Sequence, residues 1–214
     1  QEFLDGSSSK DYAVVSVNLR NLGLINEYEG RSQGDKILRH VYNILADEMK
    51  KDNGELVTRG NAGTFYIFMQ KGAKDEFMKR LNEMAEKIAG IGNKSGPIRI
   101  DTGIFCLSDK ASFKIAEAEV YADTARKSAE RSYLSTFTFY DEKFKKRQLE
   151  EVNMLNDIER AIEERKFTIL LQPKVCAQTG LIAGAEALVR WKHPKLGFVS
   201  PAAFIPVCEK NGII

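Results

Sequence analysis

Apolar and polar positions along the chain switch between two periods, and the switches mark its elements. YAVVSVNL (12–19) is apolar at its start and alternates later, which predicts a strand. In GDKILRHVYNILADEMKK (34–51), Ile37, Leu38, Val41, Ile44, Leu45 and Met49 fall on one stripe. Lys36, Arg39, Asn43 and Asp47 fall away from it, the pattern of an amphipathic helix. VTRGNAGTFYIF (57–68) reads as a hairpin with strands near 55–60 and 64–70, its turn at Asn61, Ala62, Gly63 and Thr64. KDEFMKRLNEMAEKIAG (74–90) is a second amphipathic helix, stopped by Gly90 and Gly92. PIRIDTGIFCL (97–107) predicts a strand, residues 112–132 a helix, and TFTFY (136–140) a last strand.

The order β-α-β-β-α-β-α-β predicts an α+β unit over residues 11–141: a ferredoxin-like antiparallel sheet flanked by helices, after a flexible lead-in at 1–10. The composition then changes. Residues 142–166 are charge-dense, with Leu149, Val152, Leu155, Ile158 and Ile162 recurring every three or four positions, as in a helix connecting two domains. That stripe suits either a homodimer seam or packing on its own domains, and too few clean heptads favour the second. FTILLQPKV (167–175) and IAGAEALVRW (182–191) predict strands, and FIPVCEKNGII runs from helix to loop.

Composition narrows the function classes. With 43% hydrophobic and 29% charged residues, the 214-residue chain has a real core. A net charge of +2 argues against a nucleic-acid partner. An RNA reader on such a sheet also needs basic residues beside its aromatics, and TFYIFMQ has none. No apolar run approaches the ~18 residues of a membrane span, so a cytoplasmic setting is expected; Gln1 suggests an excised piece whose parent could carry an upstream anchor. Cys106, Cys176 and Cys208 form no CxxC pair and read as reduced thiols. His40, at the edge of its stripe, reads as a solvated helix histidine, and with His193 it builds no zinc site.

Two stretches carry a family resemblance. GAEALVRWKHPKLGFVSPAAFIPVCEKNGII (184–214), preceded by LLQPKV, closely resembles the opening of EAL domains, phosphodiesterases that linearise cyclic di-GMP. The resemblance implies that 167–214 begins a TIM-barrel-like EAL domain, truncated here. INEYEGRSQGDKIL resembles the IND-x-x-G-H-x-x-GD-x-x-L stretch of GGDEF domains, the diguanylate cyclases. VTRGNAGTF lies where that family has a sequence like VARYGGDEF.

On that resemblance Asn61, Ala62, Gly63, Thr64 and Phe65 replace the signature, with Phe65 kept as a packing residue. The resemblance implies magnesium ligands at Gly63, which has no side chain, and at Asn18, a neutral amide; hard cations want anionic oxygens. The second acid of the D-x-D pattern falls on Arg20, a cation. Phosphate-binding bases fall on Gly23, Glu130 and Leu134, and the feedback Arg-x-x-Asp falls on DNGE (52–55). The expectation is a degenerate GGDEF module without cyclase activity or a catalytic residue of its own; the alternative is an active cyclase with unusual ligands. Asn26 and Asp35 match positions that read guanine, so GTP is a candidate ligand. Equally, Ser32 with Asp35 resembles a helix cap and Asn26 could close a turn. On the EAL side the resemblance makes Glu186 a metal ligand and Gln172, Leu188 and Arg190 contacts to cyclic di-GMP. Pro173, Trp191 and Phe204 are assigned to folding. No cofactor is expected in this fragment, Mg²⁺ or Mn²⁺ in a complete EAL domain, and a sensor domain upstream.

Overall fold

Strand β1 (Tyr12–Leu19) runs through the middle of a five-stranded sheet, covered on both faces, apolar throughout on one and polar at Ser16 and Asn18 on the other. The computed structural model describes residues 11–91, 96–107, 114–129 and 132–214, so the lead-in, Gly92, Glu130 and the ends of the helix expected at 112–132 lie outside the described residues. With β2 (Leu56–Arg59), β3 (Thr64–Gln70), β4 (Ile100–Cys106) and β5 (Thr136–Phe139), the strand order is β2-β3-β1-β4-β5. The first four pair antiparallel, in the ferredoxin-like order. β5 adds parallel to β4, as it must after a helical crossover.

Helices α2 (Arg31–Asp47) and α3 (Lys74–Ala89) cover one face, where Ala13, Val15, Val17, Phe65 and Ile67 meet Leu38, Val41, Phe77 and Leu81. Helix α4 (Ile115–Lys127) lies on the other, against Tyr12, Val14 and Phe105. It sits directly on the strands because Gly103 has no Cβ; one there would collide with the Ala122 carbonyl and the Arg126 backbone.

One helix was not expected. α1 (Leu22–Glu29) buries only Ile25, so it leaves no apolar stripe to read. α2 starts at Arg31, capped by Gly30 at φ +84°, a conformation that suits glycine. Ser32 therefore lies inside the helix and is not its cap, and Asn26 lies inside α1 and closes no turn.

The chain divides into two compact units, Gln1–Phe144 and Lys145–Ile214. Helix α5 (Glu142–Glu163) starts in the first, where Phe144 packs on Tyr140. In the second, β6 (Phe167–Val175), β7 (Ile182–His193) and β8 (Gly197–Val199) form an antiparallel sheet, followed by α6 (Pro201–Lys210). β8 is too short for a strand period to show in the sequence. Ile158 and Ala161 of α5 join Trp191, Phe204 and Cys208 in this core. Leu149, Val152 and Ile162 of the α5 stripe are exposed, and so is Pro173, which takes no part in the core. Among the described residues no helix is long and apolar enough to cross a membrane.

Candidate functional site

The tip of the β2–β3 hairpin is a tight turn closed by the Thr64 N–H donating to the Asn61 carbonyl at 3.0 Å. Ala62 and Gly63 have φ of +49° and +79°, the two left-handed residues of a type I′ turn. Gly63 accepts a hydrogen bond from the Leu19 N–H (3.2 Å), which ties the tip to the end of β1. A Cβ on Gly63 would lie 2.7 Å from Cδ2 of Leu22. Asn18 holds the turn from below: its Nδ2 donates to the Ala62 carbonyl (3.2 Å) and to Thr64 Oγ1 (3.0 Å). A carboxylate in place of Asn18 could not donate either bond. Phe65 is fully buried in the core.

The α4 face of the sheet is apolar at one end and polar at the end nearest the hairpin. Asn18 pairs in register with Asp101, a carboxylate not singled out in the sequence. Arg20 grips Asp101 through Nε (3.2 Å) and Nη2 and reaches the Ser132 carbonyl through Nη1, so its charge is neutralised within the fold. Burial alone would push the Asp101 carboxyl up. The hydrogen bonds from Arg20 and Thr136 (2.7 Å) and the Arg20 charge outweigh it and hold the group below its usual range.

Next along this face, Asp123 of α4 accepts from Ser16 Oγ and from the Tyr66 hydroxyl (3.0 Å), and Arg126 donates to Ser16 Oγ (2.9 Å). Asp123 is likewise lowered, its burial outweighed by these hydrogen bonds and the Arg126 charge. The Tyr66 phenol is pushed up to about 12, by burial first and then by the Asp123 carboxylate. Sequence reading missed this cluster because Ser16, Tyr66, Asp101, Asp123 and Arg126 come from four separate elements.

Asn26 lies directly against the α2 backbone at Gly34, whose missing Cβ makes room for it, one residue before the exposed Asp35. Open space surrounds Gly23, and Leu134 is exposed. In DNGE, Glu55 is turned inward: its fully buried carboxylate accepts from Arg80 (2.7 and 3.0 Å), the Lys50 N–H (2.8 Å) and the Gln70 N–H (3.0 Å). Burial raises its pKa, but the Arg80 hydrogen bonds and the two amides more than reverse this.

In the second unit Gln172 of β6 stands opposite Glu186 of β7, and Leu188 and Arg190 follow on the same face at strand spacing. The opposite face carries Phe167, Val189 and Trp191 into the helix-packed core. All four residues therefore share the face turned away from that core. Glu186 is half exposed and pairs with Lys174 Nζ at 3.3 Å. His193 is not near them: its Nδ1 accepts the Lys195 and Leu196 N–H groups (3.1 and 3.0 Å), leaving Nε2 for Asp157 (3.2 Å). His40 is exposed on α2.

Residues 2–133 match the family of diguanylate cyclase GGDEF domains. This chain belongs to the GGDEF family. Residues 155–214, after the GGDEF domain, match the EAL domain family. The bifunctional diguanylate cyclase/cyclic di-GMP phosphodiesterase MucR of Pseudomonas aeruginosa is 24% identical over 95% of this chain, which covers 30% of MucR. The cyclic di-GMP phosphodiesterase PdeL of Escherichia coli is 47% identical over 57 residues, 27% of this chain and 16% of PdeL. In structure, the S helix-GGDEF-EAL portion of Vibrio cholerae LapD, bound to c-di-GMP, aligns over 98% of this chain and 49% of that one, with 16% identity and a TM-score of 0.52. The fold is thus shared, and the GGDEF-EAL chain spans about a third of the length of the curated relatives it matches.

Proposed function

We propose that the GGDEF domain is a non-cyclising regulatory or scaffolding module of a cyclic di-GMP signalling protein, in whose complete EAL domain Gln172, Glu186, Leu188 and Arg190 serve phosphodiesterase chemistry. One observation carries this reading. Where the family resemblance puts two acidic magnesium ligands, Gly63 offers only backbone packed against Leu22, and Asn18 spends its amide on the turn. These residues do not fit Mg²⁺, which favours several anionic oxygens in octahedral array. The nearby carboxylate, Asp101, is committed to Arg20. Glu186, by contrast, is an accessible carboxylate beside Gln172, and fits a divalent ion (Mg²⁺ or Mn²⁺) that would polarise a phosphodiester in a complete EAL domain. The packing of Asn26 against Gly34, one residue before the exposed Asp35, supports a shared guanine-reading role for the two, with GTP as the proposed effector. Domain limits at 11–141, 142–166 and 167–214, cytoplasmic work of this portion, an upstream sensor, and a homodimer seam along Leu149, Val152 and Ile162 complete the reading.

The test is incubation of the chain with GTP and Mg²⁺ or Mn²⁺, with cyclic di-GMP measured by chromatography. No product is expected, and protein-dependent product would overturn the assignment. The alternative reading, a cyclase with unusual ligands, draws on Asp101 opposite Asn18. It requires that such product vanish in Asp101→Asn.

A further inference from the structure

A cavity of about 460 Å³ lies between α1 and the segment leading into β4. Leu24 and Tyr28 of α1, Pro97 and Ile98 of the segment before β4, and the two arginines Arg20 and Arg99 line it. Asn26 faces α2 and is not in its lining, so this space is separate from the proposed guanine contacts. Its volume falls in the ~300–1,000 Å³ range of small-molecule sites.

The chemistry of the lining is lopsided. Arg20 is neutralised by Asp101, but Arg99 forms an ion pair with no described residue. Arg99 Nε donates to the Tyr133 carbonyl at 3.1 Å, which fixes the guanidinium plane. Its two Nη groups hydrogen-bond to no described residue, although the side chain is half-buried. A guanidinium held in place with its fork free matches a phosphate, which accepts two parallel N–H bonds. Tyr28, 78% exposed, brings an aromatic ring to the lining, and Leu24 and Pro97 add apolar surface. A ring compound could be covered there while its phosphate meets Arg99. Glu29 also lines the cavity, at the C-terminal end of α1, whereas Arg20 precedes its start.

We propose that this cavity binds a phosphorylated ring compound of mononucleotide size, with Arg99 taking the phosphate and Tyr28 covering the ring. The site goes beyond the regulatory reading above and does not depend on it. Titration calorimetry of the intact chain carrying Asn26→Ala and Asp35→Ala, which removes the proposed guanine contacts, tests it with GMP, with inorganic phosphate and guanosine as partial probes. Saturable GMP binding is expected at millimolar concentration or below, with each partial probe weaker. Arg99→Ala should weaken GMP by about tenfold or more, through loss of a charge-assisted contact. Tyr28→Ala, at an exposed position that leaves folding intact, should weaken it by about fivefold or more. Absence of GMP binding in that background, or indifference of the binding to both Arg99→Ala and Tyr28→Ala, would overturn the proposal. None of these results bears on whether cyclic di-GMP is made.

Discussion

Ala62 is held at φ +49°, a region that costs a residue with a Cβ about 1–2 kcal/mol and glycine almost nothing. Ala62→Gly should therefore raise stability by about 0.5–1 kcal/mol after the extra unfolded-chain entropy is set against the relief, measured as a higher urea midpoint. Gly63→Asp should do the reverse, since its Cβ would meet Leu22 at a left-handed backbone position. An acidic side chain at this position thus displaces the turn. Glu55 shows the opposite economy, a buried carboxylate with every nearby donor aimed at it. Arg80→Ala leaves that charge without its partner and should cost about 3–5 kcal/mol. Because the folded pKa of Glu55 is lowered, its stabilisation is full above the unfolded value of about 4.3 and fades as pH falls through the folded value. Asp101 and Asp123 act with the same sign, so urea midpoints should drop on acidification below about pH 4. Glu55→Gln should shrink that drop.

Between elements, α4 lies tightly on β4. The Gly103 position faces the Ala122 carbonyl and the Arg126 backbone, neither of which can swing aside as a side-chain tip can. Gly103→Ala should push α4 off the sheet, cost about 3 kcal/mol, and loosen the hydrogen bonds from Ser16, Tyr66 and Arg126 around Asp123. Thermal melting reads the first effect. The second reads as a fall of the Tyr66 pKa from about 12 toward 10 in an ultraviolet titration. Most elements were legible before this geometry was known. The stripe of 34–51 and the hairpin of 57–68 carry strong periods, and the structure has α2 and β2–β3 there, with α2 starting earlier and stopping at Asp47. Helix α1 was illegible because a helix with one buried residue leaves no stripe.

For the molecule as a whole, two units share one chain and α5 begins in one and continues in the other. If the GGDEF unit regulates, GTP added to the complete protein should raise its cyclic di-GMP hydrolysis, read as linear product released over time. Asn26→Ala and Asp35→Ala should each abolish the rise and leave the rate without GTP unchanged. A rise that survives both variants would remove guanine control through these residues.

Sequence alone determined most of the elements, the GGDEF membership, the likeness of the last stretch to EAL domains and the lack of side-chain acids at residues 61–65, because these follow from residue type and local period. Tertiary structure decided which groups meet: Asp101 across from Asn18 and held by Arg20, Glu55 turned inward to Arg80, and Arg99 held at a cavity with its fork open. Strand register and helix approach set those meetings, and both arise from packing between residues far apart in the chain.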